Sequence, residues 1–203
     1  GPVIGLILVL TCGLEVMMVT SDLGFTGSGR WRALVLQYGG FWPGLMRNWE
    51  PNFDAQPWMM FLSYSVLHAG FMHLLGNMLM LLWIGPGLVA RTGQIGFALL
   101  WLCSGLGGAL VFGAMTTTPT PMVGASGCVF GLIGALVVFD YVLPGKYAKA
   151  LGLTLALVAL NIVMLVVEGG LLAWQTHLGG YVVGGVAALV LGDAPVKTSD
   201  MDK

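Results

Sequence analysis

Charge is what this sequence has least of. Asp, Glu, Lys and Arg make up 8% of its 203 residues, while 57% are hydrophobic; a soluble domain carries about 25% charged residues. So poor a supply cannot cover a water-facing surface, which excludes an ordinary soluble domain. A basic surplus is also missing. The net charge is −1, so nothing favours a nucleic-acid partner, whose binding rests on neutralised phosphates. Cysteine is scarce too: Cys12, Cys103 and Cys128 each lie inside an apolar run and read as small packed side chains, not as disulfides or metal ligands. No Asp, Glu, Lys or Arg occurs between Arg91 and Asp140, or between Glu168 and Asp193. Charge-free runs of that length are bilayer spans, since each must cross about 30 Å of hydrocarbon.

What is present divides into six long apolar runs, with few charges in them. Spans are expected at residues 3–20, 58–88, 94–115, 124–142, 148–167 and 171–192, so the fold class is all-α, a polytopic membrane protein of six helices. The connection at 21–57 carries three arginines among Trp31, Phe41, Trp42, Trp49 and Phe53. Aromatics mixed with a few charges suit the headgroup zone, so this loop is expected to lie in the interface. Residues 1–192 form the membrane domain; 193–203 form a polar tail with no core to join, expected to be disordered. Gly1-Pro2, followed at once by a hydrophobic run, reads as a trimmed start.

Arg91, Lys146, Lys149, Lys197 and Lys203 fall on one side of this layout, and the alternate short loops at 116–123 and 168–170 hold no basic residue. The positive-inside rule puts the first group and both termini in the cytoplasm. Arg30, Arg32 and Arg47 dissent, in a loop long enough for the rule to weaken.

Polar groups in hydrocarbon are costly and mark function by default. Ser126 stands in Gly124-Ala-Ser-Gly127, in the first turn of the fourth span after the break Thr116-Thr-Thr-Pro-Thr-Pro121. Unpaired N–H groups and the positive end of the helix dipole gather there, ready for an oxyanion. His177 stands in the sixth span, with Gly180 and Gly184 three and seven residues on along its face. Gly127 and Gly131 form a matching pair in the fourth. Two grooved helices can touch backbone to backbone, which would bring Ser126 within reach of His177 as its general base. His73 and Asn77, four apart in the second span, share a face and carry N–H donors. His68, five before His73, is expected to point elsewhere, toward the interface. The three histidines lack an acidic or thiol partner to complete a ligand set, so neither metal nor cofactor is expected. Glu15 and Asn161 are expected to bond to neighbouring helices, and Asp140 falls at the cytoplasmic end of its span, on the wrong side for a triad.

His68-x4-His73-x3-Asn77, then Gly124-x-Ser126-Gly127, then His177-x2-Gly180-x3-Gly184, in that order on spans two, four and six, resembles the rhomboid family over nearly the whole chain. The resemblance implies an intramembrane serine endopeptidase with a Ser126–His177 dyad. It also implies an oxyanion site made of His73, Asn77 and the Ser126 N–H, and an aromatic, Phe130, packed against the dyad histidine where tyrosine is common. His68 and the glycines at 124, 127, 180 and 184 would support the site. The family's usual Trp-Arg pair just ahead of span two is not evident: Trp58-Met59-Met60 stands there, and the nearest arginine back is Arg47. The implied partners are transmembrane protein substrates, entering sideways past span five with small residues at the scissile bond. The implied setting is a bacterial inner membrane with the site open to the external side. The rival readings are a transporter, which would thread polar residues through both membrane halves, and a non-catalytic binder of membrane proteins on the same fold.

Overall fold

The computed structural model describes residues 1–27 and 29–193, and among them every extended element is helical. Helix α1 is Pro2–Asp22. Two short helices follow, α2 (Trp31–Gly39) and α3 (Gln56–Ser63), each accompanied by a 3-10 turn, Pro43–Met46 and Tyr64–Val66. Helix α4 runs Phe71–Met115, α5 Ser126–Val137 with a π-helical turn Val138–Val142, α6 Tyr147–Val167 and α7 Trp174–Leu191.

A straight helix of the 45 residues of α4 would be about 68 Å long, twice the hydrocarbon thickness. Gly93, with φ 70° and ψ 176°, breaks it into two arms at 71–92 and 94–115. The six expected spans are therefore α1, the two arms of α4, α5 with its π turn, α6 and α7.

Contacts between neighbours fix which ends share a side. Val3 N–H donates to Gln94 Oε1 (3.2 Å), and Arg91 binds Asp140 and Asp193, so the start of α1, the Gly93 turn and the ends of α5 and α7 meet at one side. At the other, Arg32 of α2 donates to Glu15 of α1 (2.9 Å) and to the His68 carbonyl (3.3 Å). Arg47 donates there to the Thr116 carbonyl (2.7 Å) after α4.

The second span differs from the sequence expectation. It begins at Phe71, not at 58, and the first connection extends to residue 70. Residues 58–66 are apolar enough to continue a helix, but the chain leaves helical geometry at Leu67 (ψ 149°) and turns inward, burying Tyr64 and His68 completely. The long connection is pinned, not loose. Phe41 pairs its backbone with Met122 through two 2.9 Å hydrogen bonds and sits edge-on to Phe61, Tyr64 and Phe112. Helix α2 has no buried residue, as expected of a segment at the interface.

Arg32 and Arg47, which dissented from the charge rule, are bound within the protein. Arg32 also pairs with Asp22 at 2.6 Å, and its two carboxylate partners, Glu15 first, raise its guanidinium above the ordinary arginine value. Arg32, already neutralised inside the fold, carries little orienting signal, and Arg47 is held by backbone carbonyls.

Helix α7 is the hub, packed against both α4 and α5. Its glycines permit backbone approach: a Cβ on Gly180 would overlap the Gly127 carbonyl, and one on Gly184 the Gly131 carbonyl. Small residues facing each other in this way are how membrane helices gain close packing without a hydrophobic drive. By contrast α6 buries only Ala150 of its 21 residues. The cysteines are all free. Asp193, the last described residue, is held below the ordinary aspartate value by its hydrogen bond to Arg91; the rest of the tail, expected to be disordered, lies outside the described residues.

Candidate active site

Ser126 is the first residue of α5 and is half-buried. The loop that delivers it is fixed by two bonds to the Tyr64–His68 segment. Gly124 N–H donates to the Tyr64 carbonyl (2.9 Å), and Ala125 N–H donates to His68 Nε2 (3.4 Å). Gly124 has φ 127°, and a Cβ there would lie 2.6 Å from His73 Cε1; backbone and space both require glycine. With Ala125 N–H spent on His68, the following N–H groups of α5, beginning with that of Ser126, have no intrahelical acceptor and point with the positive end of the helix dipole toward the same side.

His177 is the fourth residue of α7 and 8% exposed. Its ring stacks on Phe130 at 4.2 Å between centroids with planes 4° apart. Phe130 lies four residues after Ser126, on its face of α5. One residue past Ser126, the Gly127 backbone sits under Gly180, three residues after His177. The two contacts bracket the pair, so the imidazole stands over the strip of α5 that carries Ser126. No hydrogen bond joins the Ser126 hydroxyl to His177 in this state; such bonds often tighten only when substrate is bound.

His73 and Asn77 lie on the first arm of α4, within its first two turns. His73 is half-buried beside Gly124. Asn77 donates one amide hydrogen to the His73 carbonyl (2.9 Å), and its second amide hydrogen is available to another acceptor. His68 does not point to the interface. It is fully buried, edge to face with His73 at 5.2 Å, because the break at Leu67 places it before α4 begins and outside the helical angle between residues five apart. It is a bracket beneath the Ser126 loop.

Glu15 and Asn161 do bond to neighbouring helices, as expected, but the sequence does not name their partners. Arg32 anchors α2 to Glu15 and to the His68 carbonyl, so it steadies the segment below the site. Asn161 of α6 reaches His177: its Oδ1 lies 2.6 Å from His177 Nδ1. An apolar cavity of about 500 Å³ separates α6 from α7 around this contact, lined by Phe130, Leu157, Asn161, Trp174 and His177 among others.

Comparison with known proteins finds similarity over the part of the chain that carries these residues. Residues 55–194 match the family model described as the Rhomboid domain. The chain is 35% identical to RHOMBOID-like protein 4 of Arabidopsis thaliana over 133 residues, covering 64% of this chain and 33% of that protein. It is 36% identical to RHOMBOID-like protein 2 of the same plant over 144 residues, 68% of this chain and 43% of that one. Rhomboid protease GluP of Bacillus subtilis is 29% identical over 141 residues, 66% of this chain and 26% of that protein. The aligned part of the chain thus spans less than half the length of these curated relatives.

Proposed function

The chain belongs to the rhomboid family, and on that footing we propose that it is an intramembrane serine endopeptidase acting through Ser126 and His177. The observation that carries the reading is the bracket around the pair. The Phe130–His177 stack and the Gly127–Gly180 backbone approach set the imidazole over the face of α5 on which Ser126 opens the helix. A serine is a weak nucleophile until a neighbouring base takes its proton, and histidine titrates in the right range for that work.

The chemistry follows in balanced steps. Ser126 Oγ adds to the scissile carbonyl as its proton passes to His177 Nε2. The oxyanion is met by the Ser126 N–H, the free amide hydrogen of Asn77 and the His73 imidazole. The tetrahedral intermediate collapses, His177 gives its proton to the leaving amine, and an acyl-enzyme remains on Ser126. Water then gives a proton to His177 and adds to the acyl carbon; the bond to Ser126 Oγ breaks, Oγ takes the proton back from His177, and the acid leaves. The substrates are transmembrane segments presented from the lipid past α6, with small residues at the cleaved bond. The start of α1, the Gly93 turn and the end of α7 face the cytoplasm, and Ser126 opens to the external side.

The test is labelling of detergent-solubilised protein by a fluorophosphonate, with Ser126→Ala and His177→Ala alongside. Labelling of the parent alone is expected, together with a loss of at least about 10⁴-fold in cleavage of a transmembrane model substrate in both variants. Cleavage that persists in Ser126→Ala would sink the assignment. A folded parent that takes no label would favour a binding role.

A further inference from the structure

The sequence offers no acidic third member for the dyad, and Asp140 stands at the far end of α5. The position a third member would fill is nevertheless occupied. Asn161 Oδ1 lies 2.6 Å from His177 Nδ1, while Asn161 Nδ2 donates to the Leu157 carbonyl (3.0 Å) on its own helix. That second bond fixes the amide's orientation: an NH₂ group can serve a carbonyl and an amide oxygen cannot, so the oxygen must be the atom facing the imidazole. An amide oxygen only accepts. His177 Nδ1 must therefore carry the hydrogen, which leaves Nε2 as the basic nitrogen.

We propose that Asn161 is a positioning residue that holds His177 in the Nδ1–H tautomer, with Nε2 unprotonated for Ser126, and thus serves as a neutral third member supplied from α6. The inference rests on the protease reading for its catalytic consequence, but not for its tautomer. The stack on Phe130 confines the plane of the ring; the bond to Asn161 decides which edge carries the proton. In a neutral histidine the nitrogen that bears hydrogen is set by the partner of the other. Being uncharged, Asn161 performs this task without placing a carboxylate in hydrocarbon, which would be costly.

The chain has only three histidines, so ¹⁵N-histidine labelling gives a readable spectrum, with His177→Ala to assign its signals. The parent is expected to show His177 as a single Nδ1–H tautomer. Asn161→Leu keeps the side chain's size and removes the acceptor. It should yield a tautomer mixture and lower kcat about 10- to 100-fold, the usual cost of losing a group that orients a functional histidine, with KM within about twofold. Asn161→Asp restores an acceptor oxygen and should recover the Nδ1–H signal and most of kcat. Asn161→Ala serves the same arm should Asn161→Leu fail to fold. A single Nδ1–H tautomer and parental kcat in the Leu or Ala variant would overturn the proposal. If the parent takes no fluorophosphonate, the protease reading fails and the tautomer spectra alone decide whether Asn161 holds the ring.

Discussion

The contact between α5 and α7 yields the sharpest mechanical prediction, through Gly184→Ala. A methyl at 184 would lie 2.5 Å from both the carbonyl carbon and the Cα of Gly131, where carbon–carbon contacts settle at about 3.5–4.0 Å. No side chain can step aside, because the obstacle is backbone, so the helices must part by about 1 Å. Overpacking of this kind costs about 1–3 kcal/mol, offset by about 1 kcal/mol from the better helix propensity of alanine. Net destabilisation is then about 0–2 kcal/mol. The functional loss should be larger, since a displacement of about 1 Å between reacting groups can cost about 100-fold in rate. Gly152→Ala, in α6 with nothing within 4 Å of its added Cβ, is the control and should be neutral or stabilising. The assay pairs the midpoint of detergent unfolding with the fluorophosphonate labelling rate. A Gly184→Ala protein that labels at the parental rate would refute the claim that this approach sets the geometry of Ser126 and His177.

Two further outcomes follow from charged groups outside the site. Glu15→Gln leaves Arg32 with Asp22 as its only carboxylate and weakens the bond that steadies the His68 segment; a loss of about 1–3 kcal/mol is expected, and an unchanged unfolding midpoint would contradict it. Asp193 is depressed by Arg91, so its contribution is complete above the unfolded aspartate pKa of about 3.9 and fades as pH falls through the lower folded value. Asp193→Asn should therefore flatten the dependence of stability on pH below about 4 and leave the neutral limb without such a slope; an acid dependence equal to the parent's would refute the link.

Much of the site could be read from spacing, because its determinants are local. Gly180 and Gly184 lie four apart, as do Gly127 and Gly131, and within a continuous helix that spacing fixes a face. Ser126 and Phe130 share a face by the same rule. The misreadings arose where the helix was not continuous. The expected direction of His68 holds only for a helix spanning residues 68–73, and nothing in the apolar run from Trp58 marks the departure at Leu67. Asn161 bonds to a neighbouring helix as expected, and only its partner is missing from the sequence reading. In α6, Thr154 and Asn161 stand seven apart on one face, and that is the face that meets α7; what spacing does not give is that Asn161 comes level with His177. The Arg32–Glu15 pair joins residues in separate elements; the local signal is Trp31-Arg32, a Trp-Arg pair in the first connection that lies far ahead of span two.

The helices around the site are held by forces of different strength, and that difference bears on how a substrate reaches it. Helices α5 and α7 interlock through backbone, and parting them would forfeit close packing over several turns. Helix α6 faces α7 across the apolar cavity, and two side-chain contacts bridge the gap: Asn161 with His177, and Thr154 with the Tyr181 hydroxyl at 2.6 Å. Apolar surface released from a cavity into lipid meets equally apolar chains, so the hydrophobic effect does not oppose separation, and interhelical hydrogen bonds in membranes average about 0.6 kcal/mol. Two such bonds give about 1.2 kcal/mol, so polar contacts hold α6 to α7 only lightly. On this accounting the helix past which substrate is proposed to enter is also the one that supplies the partner of His177.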